Sequence, residues 1–103
     1  MATQIRIFTI RAGQMDDFLQ AWLAGVYPLR LAHGFAIDGA WAVPQRNQFI
    51  WIMRYDGPED WEMKDRAYYA STERAILDPD PAQHIESVEQ FFITPVLPPM
   101  ARR

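Results

Sequence analysis

Apolar residues in the first ten positions fall on both parities of an extended chain, Ile5 and Ile7 on one and Phe8 and Ile10 on the other. Residues 4–10 therefore predict a strand with two apolar faces. Gly13 and Gln14 break the pattern. From there the apolar positions switch to intervals of three and four, at Met15, Phe18, Leu19, Trp22, Leu23, Val26 and Leu29. This spacing lays one stripe along a helix of about four turns. Asp16 and Asp17 in its first turn and Arg30 near its end carry the signs that the helix dipole favours. Pro28 is expected to bend or end the helix, and His33-Gly34 is a stop signal.

A period of two returns over Phe35 to Val43, where Phe35, Ile37, Trp41 and Val43 alternate with Ala36, Asp38, Ala40 and Ala42. Gly39 sits on the large parity, which indicates a bulge or a close approach by another group. The polar stretch Pro44-Gln45-Arg46-Asn47 joins this strand to Phe49–Tyr55 as a hairpin. Phe49, Trp51, Met53 and Tyr55 take one face of the third strand and Ile50 and Ile52 the other. Asp56-Gly57-Pro58 turns into a second helix, capped by Asp56 or Gly57, with Trp61, Lys64, Ala67 and Tyr68 on one side. Ser71 caps a short helix over 72–77, and Asp78-Pro79-Asp80-Pro81 forms a stiff link. A last strand spans 85–94, ended by Pro95, Pro98 and Pro99, with 101–103 as a frayed tail.

The order strand, helix, strand, strand, helix, strand is that of a ferredoxin-like α+β unit, βαββαβ, with a four-stranded antiparallel sheet and two helices on one face. In such a unit the other face of the sheet is bare, yet the first and third strands are apolar on both parities and the second aligns Trp41 with Phe35 and Ile37. A second copy packed sheet to sheet, forming an α+β barrel homodimer, is the simplest cover. The C-terminal tail is the alternative.

Composition narrows the function. The 103 residues are half apolar, carry a formal net charge of −3 and include no cysteine. One domain over 1–103 is expected. Ten basic residues scattered along the chain give no footprint for nucleic acid or for an anionic membrane. Disulfides and thiolate chemistry are excluded. Charges at Arg6, Arg11, Asp16 and Asp17 interrupt any signal-peptide core, so a cytoplasmic location is expected. Nucleotide-loop, nucleophile-elbow and zinc-protease motifs are absent, and no cofactor is expected. Asp78, Asp80, His84 and Glu86 are the densest group of metal-donor side chains, but their spacing matches no established metal site.

The blocks IRIFTIRAGQMDDFLQAW, PLRLAHGFAIDGAW, FIWIMRYDGPEDWE and AYYASTERAILDPDP together resemble the NIPSNAP-like proteins of the dimeric α/β-barrel superfamily, over about residues 4 to 96. The resemblance implies a ferredoxin-like protomer and a sheet-to-sheet dimer. The wider superfamily includes cofactor-free monooxygenases and haem-degrading enzymes. NIPSNAP-like proteins mostly have no assigned reaction, and some act as interaction partners or sensors.

In this architecture a ligand lodges between helices and sheet. Trp22, Tyr27, Trp61 and Tyr69 are the candidate substrate-binding residues, with ordinary core packing as the competing explanation. His33 and Tyr68 are the candidate catalytic groups, able to move a proton near a bound ring. His33 can equally cap a helix, and His84 can be a solvated loop residue. Arg6 and Arg54 interrupt apolar strands, so each must pair with a carboxylate such as Asp38 or Glu89, reach an edge, or face an anion. Two functions follow. One is a cofactor-independent monooxygenase-like enzyme acting on a small aromatic or conjugated substrate. The other is a non-catalytic dimeric module that binds a hydrophobic ligand or a protein partner.

Overall fold

The computed structural model describes residues 2–97, so Pro98, Pro99 and the tail expected at 101–103 lie outside the described residues. Four strands, β1 (Ala2–Ile10), β2 (Ala36–Val43), β3 (Gln48–Tyr55) and β4 (Ile85–Phe92), form one sheet in the order β2-β3-β1-β4. Every pairing is antiparallel. The helices are α1 (Met15–Ala21), α2 (Tyr27–Ala32), α3 (Trp61–Ala70) and the single turn α4 (Thr72–Ala75). The ferredoxin-like α+β architecture read from the element order is the observed one.

Pro28 neither ends nor breaks the first helix. A π turn, Trp22–Val26, joins α1 to α2, and the Tyr27 N–H bonds to the carbonyl of Trp22, five residues back. The extra residue in that turn opens the carbonyl row just where proline lacks a donor and its ring needs room. The helix then stops at His33 and Gly34, as expected; Gly34 has φ of 90° and donates to the Leu31 carbonyl at 3.0 Å. The helix predicted from Pro58 begins instead at Trp61, after Asp60 in an extended conformation. Side-chain bonds from Arg54 to Asp56 and from Tyr55 to Glu59 hold the intervening residues as a loop. Ser71 caps α4 by accepting from the Arg74 N–H at 3.1 Å.

Gln4, Arg6, Phe8 and Ile10 of β1 and Phe49, Trp51, Met53 and Tyr55 of β3 point to the helical side and are buried. Phe18, Trp22, Val26, Trp61 and Tyr68 meet them from above. Aromatic edges interlock there: Trp22 lies 4.9 Å from Phe49 and 5.3 Å from Trp51, centroid to centroid. The second strand departs from its simple alternation. A bulge between Ile37 and Gly39 sets Ile37 opposite Met53 but Trp41 opposite Ile50. Trp41 therefore shares the outer face with Ile50 and Ile52, and not the face of Ile37 and Phe35 as the uninterrupted period implied. Gly39 leaves room at that point for the Trp41 ring, which a Cβ there would meet at 2.3 Å.

Among the described residues the outer face carries no helix. Ile5 and Ile7 of β1 pair with Ile52 and Ile50 of β3, and Phe91 of β4 lies beside Ile5. Trp41 is 52% and Phe91 53% exposed in the single chain. Among the described residues no helix is long and apolar enough to cross a membrane.

Candidate functional site

The helical layer covers β1 and β3 more fully than β4, where Val88 and Gln90 stay exposed on the inner side. Between the layers lies a cavity of about 170 Å³, and these two residues stand at its β4 side. Its apolar walls are Phe8 and Trp51 from the sheet and Phe18, Trp22 and Val26 from α1 and the π turn. A cavity of about 150 Å³ holds a benzene-sized molecule, so one ring fits.

The polar wall is built from positions that a simple core would fill with hydrocarbon. Arg6 occupies the inner parity of β1 and is 2% exposed; Arg30, at the end of α2, is 1% exposed. Asp65 of α3 reaches both, at 3.1 Å from Arg6 Nη2 and 2.8 Å from Arg30 Nη1. Asp65, Tyr68 and Tyr69 follow at i, i+3 and i+4, so one helix face delivers all three side chains to the arginines. Arg6 completes its bonding by donating to Gln4 Oε1 at 2.7 Å and to the Tyr69 hydroxyl at 2.9 Å. The Arg30 guanidinium stacks on Tyr68, 3.6 Å from the ring centroid, and on Phe35 at 4.9 Å. Such stacking is available to arginine and not to a compact ammonium group.

This wall is rich in donors and short of acceptors. Trp22 Nε1, Arg30 Nε, Trp51 Nε1, Tyr68 Oη and Arg74 Nε are buried without a hydrogen-bond partner. All five residues line the cavity. A buried polar group left without a partner costs about 1–3 kcal/mol. Burial pushes the Tyr68 hydroxyl above its ordinary pKa, with Arg30 opposing, so it is a neutral donor at physiological pH. Burial likewise pulls Arg30 below its ordinary value, with Arg6 adding to the effect and Tyr69 and Asp65 opposing it.

The cavity brings together three of the residues chosen from the sequence, Trp22, Tyr68 and Tyr69. Tyr27 stacks on Trp22 at 5.6 Å but faces solvent outside the cavity wall. Trp61 packs at the other end of α3 between Phe35 and Phe92, at 5.5 and 5.4 Å. His33 sits at the C-cap of α2, edge-on to Tyr68 at 5.4 Å, and is not a wall residue. His84 holds Gln14 through Nδ1 at 2.8 Å and borders a separate, wider groove of about 510 Å³ beside α1. Arg54 pairs with Asp38 at 3.1 Å, one of the partners expected for it. Arg30, read as a helix-end cation, is instead interior. Asp65 was missed, although it stands three and four residues before Tyr68 and Tyr69. Among the described residues no three His, Asp or Glu side chains converge as a metal site; Asp80 caps the turn Pro81–His84 and pairs with Arg74.

No protein-family model matches the sequence, and no curated protein matches it significantly. Solved structures do share its fold. An uncharacterized NIPSNAP domain protein from Burkholderia xenovorans superposes with a TM-score of 0.80 at 18% identity, over 96% of this chain and 100% of that one. A NIPSNAP family protein from Agrobacterium tumefaciens gives 0.81 at 18% identity, over 92% and 85%. An antibiotic biosynthesis monooxygenase gives 0.68 at 17% identity, over 94% and 100%. The fold is thus the one found in NIPSNAP proteins and in monooxygenases of that kind, at identities that speak for architecture alone.

Proposed function

We propose that this chain is a NIPSNAP-like protein that binds a small aromatic or conjugated molecule between helices and sheet and turns it over as a cofactor-independent, monooxygenase-like enzyme. The observation that carries this reading is a ring-sized cavity with aromatic walls and two buried guanidinium groups. Phe8, Trp22 and Trp51 take the flat body of the substrate. Arg30 and Tyr68 face the oxygen on which negative charge develops, the role of an oxyanion-stabilising pair. The reaction class is oxidation of an activated CH₂ carbon by dioxygen. The carbanion form of the substrate gives electrons to dioxygen, a C–O bond forms, two C–H bonds and the O–O bond break, and a carbonyl and one water result. Dioxygen is the only oxidant required.

The open sheet face supports a homodimer. Ile5, Ile7, Ile50, Ile52, Trp41 and Phe91 form one apolar surface, and burying it against a second copy recovers about 25 cal/mol per Å².

Oxygen uptake tests the enzymatic reading, in chelator and without added flavin. The probes are single-ring 1,3-diones, led by cyclohexane-1,3-dione, whose CH₂ lies between two carbonyls. Uptake that falls in Tyr68→Phe supports it. Binding of these probes with no oxygen uptake by any of them would favour the non-catalytic ligand-binding module.

A further inference from the structure

The orphaned atoms of the cavity say what kind of molecule it takes. Four of the five are N–H groups, which can only donate, and the fifth is the Tyr68 hydroxyl, kept protonated by its surroundings. The side chains that carry three of these donors adjoin one another: the Arg30 guanidinium is 3.6 Å from the Tyr68 ring centroid and 5.9 Å from that of Trp51. Charge points the same way. Arg6, Arg30 and Arg74 all line the cavity, and among the described residues no carboxylate or histidine does. Asp65 neutralises one charge of the Arg6–Arg30 pair from behind, and Asp80 engages Arg74 at 3.2 Å. Among the described residues one buried positive charge therefore remains without a counter-charge, and the walls hold no carboxylate or imidazole base to remove a proton from a neutral substrate.

We infer that the cavity selects an organic oxyanion already ionised at neutral pH, a carboxylate or enolate on a single ring, whose oxygens accept from Arg30, Trp51 and Tyr68. A neutral ring leaves the charge uncompensated even where a carbonyl oxygen accepts from these donors, and a cation meets three guanidinium groups. Burial holds Arg30 below its ordinary pKa, as expected for a cation whose solvation is replaced only in part. Charge-assisted bonds to such an anion supply both halves of what is missing, acceptors and negative charge. The inference rests on the cavity being the small-molecule site.

Isothermal titration of the full chain with benzoate, its neutral isostere benzamide, benzylammonium and inorganic phosphate tests it. Benzoate is expected to bind at least about tenfold more tightly than benzamide, since hydrogen bonds to charged groups are worth that factor or more. Benzylammonium is expected not to bind. Arg30→Met, which keeps length and removes charge, is expected to reduce benzoate affinity to that of benzamide. Tyr68→Phe removes one donor without opening space and is expected to lower benzoate affinity about threefold or more, and by a larger factor than it lowers benzamide affinity, because the bond to the anion is the stronger one. It serves as the probe should Arg30→Met fail to fold. Equal affinities for benzoate and benzamide would overturn the inference and leave the cavity reading intact. Phosphate binding as tightly as benzoate, in competition with it, would overturn it in favour of an inorganic ion. Failure of every ring compound to bind would overturn the cavity reading itself.

Discussion

Asp65→Asn is the substitution whose cost follows most directly from the packing. The carboxylate bridges two guanidinium groups, at 3.1 and 2.8 Å, whose side chains are 3% and 1% exposed, while its own is 21% exposed. Asparagine has nearly the same volume and its Oδ1 can still accept from one arginine, so the change removes charge and little else. What remains is a pair of buried cations that repel each other. Removing one partner of a buried ion pair costs about 3–5 kcal/mol. Asp65 is partly open to solvent screening, which places the expected loss near the lower end, about 3 kcal/mol. Against a total stability of about 5–15 kcal/mol this is severe. In thermal unfolding the midpoint is expected to fall by about 12–24 °C. Urea titration at fixed protein concentration reads the same loss as a lower midpoint with an unchanged slope. The combination Arg30→Met with Asp65→Asn is expected to cost clearly less than the two single losses summed, because it removes the uncompensated charge. A loss below about 1 kcal/mol for Asp65→Asn, or strict additivity in the cycle, would refute the claim that this carboxylate neutralises the buried arginines.

Trp41→Lys places a charge in the middle of the outer apolar face and is expected to convert a dimer to monomers in sedimentation velocity; a dimer that persists would show that the sheet face is not the interface. Gly39→Ala drives a methyl group into the Trp41 ring, whose far end is exposed and free to swing aside, and is expected to cost at most about 1 kcal/mol in urea titration, the lower end of the overpacking range. A loss well above that would mean that the Trp41 ring is fixed over Gly39. Tyr68 keeps its proton in the folded state beyond the pH at which an unfolded tyrosine, with a pKa of about 10, releases it. Its contribution is therefore complete below about pH 10 and is lost as pH rises through the folded value. Ultraviolet titration is expected to show that Tyr68→Phe removes a late-ionising tyrosine and flattens the alkaline fall in stability; loss of an early phase would contradict the burial argument.

Much of the fold could be read from periodicity because the relevant pressure is simple burial. Burial in β1 and β3 alternates strictly, and the residues that the sequence grouped on one parity, Phe8 with Ile10 and Phe49 with Trp51, Met53 and Tyr55, share the helical face. The errors arose where one residue changes the count. The bulge beside Gly39 moves Trp41 across the sheet, and a period-two reading carries no sign of an inserted residue beyond the glycine itself. The π turn ahead of Pro28 lets the helix continue where proline normally stops it. For the site, the aromatic half was accessible: Trp22 and Tyr68 fall on the buried stripes of their helices, and both reach the cavity. Arg30 was harder to read, since a cation near a helix C-terminus already has an explanation in the helix dipole. Its burial depends on Asp65, thirty-five residues away in sequence. Arg6 stood out as a charge on an apolar strand, but its partners Asp65 and Tyr69 arrive only through tertiary packing.

A crystal structure of the full-length wild-type chain grown with benzoate addresses the central claim most directly, because it locates the ligand and the neighbouring copy together. The account predicts the ring in the cavity against Phe8, Trp22 and Trp51, its carboxylate accepting from Arg30 and Tyr68, and a second protomer seated on Trp41 and Phe91. Benzoate bound elsewhere while this cavity holds only water would contradict it.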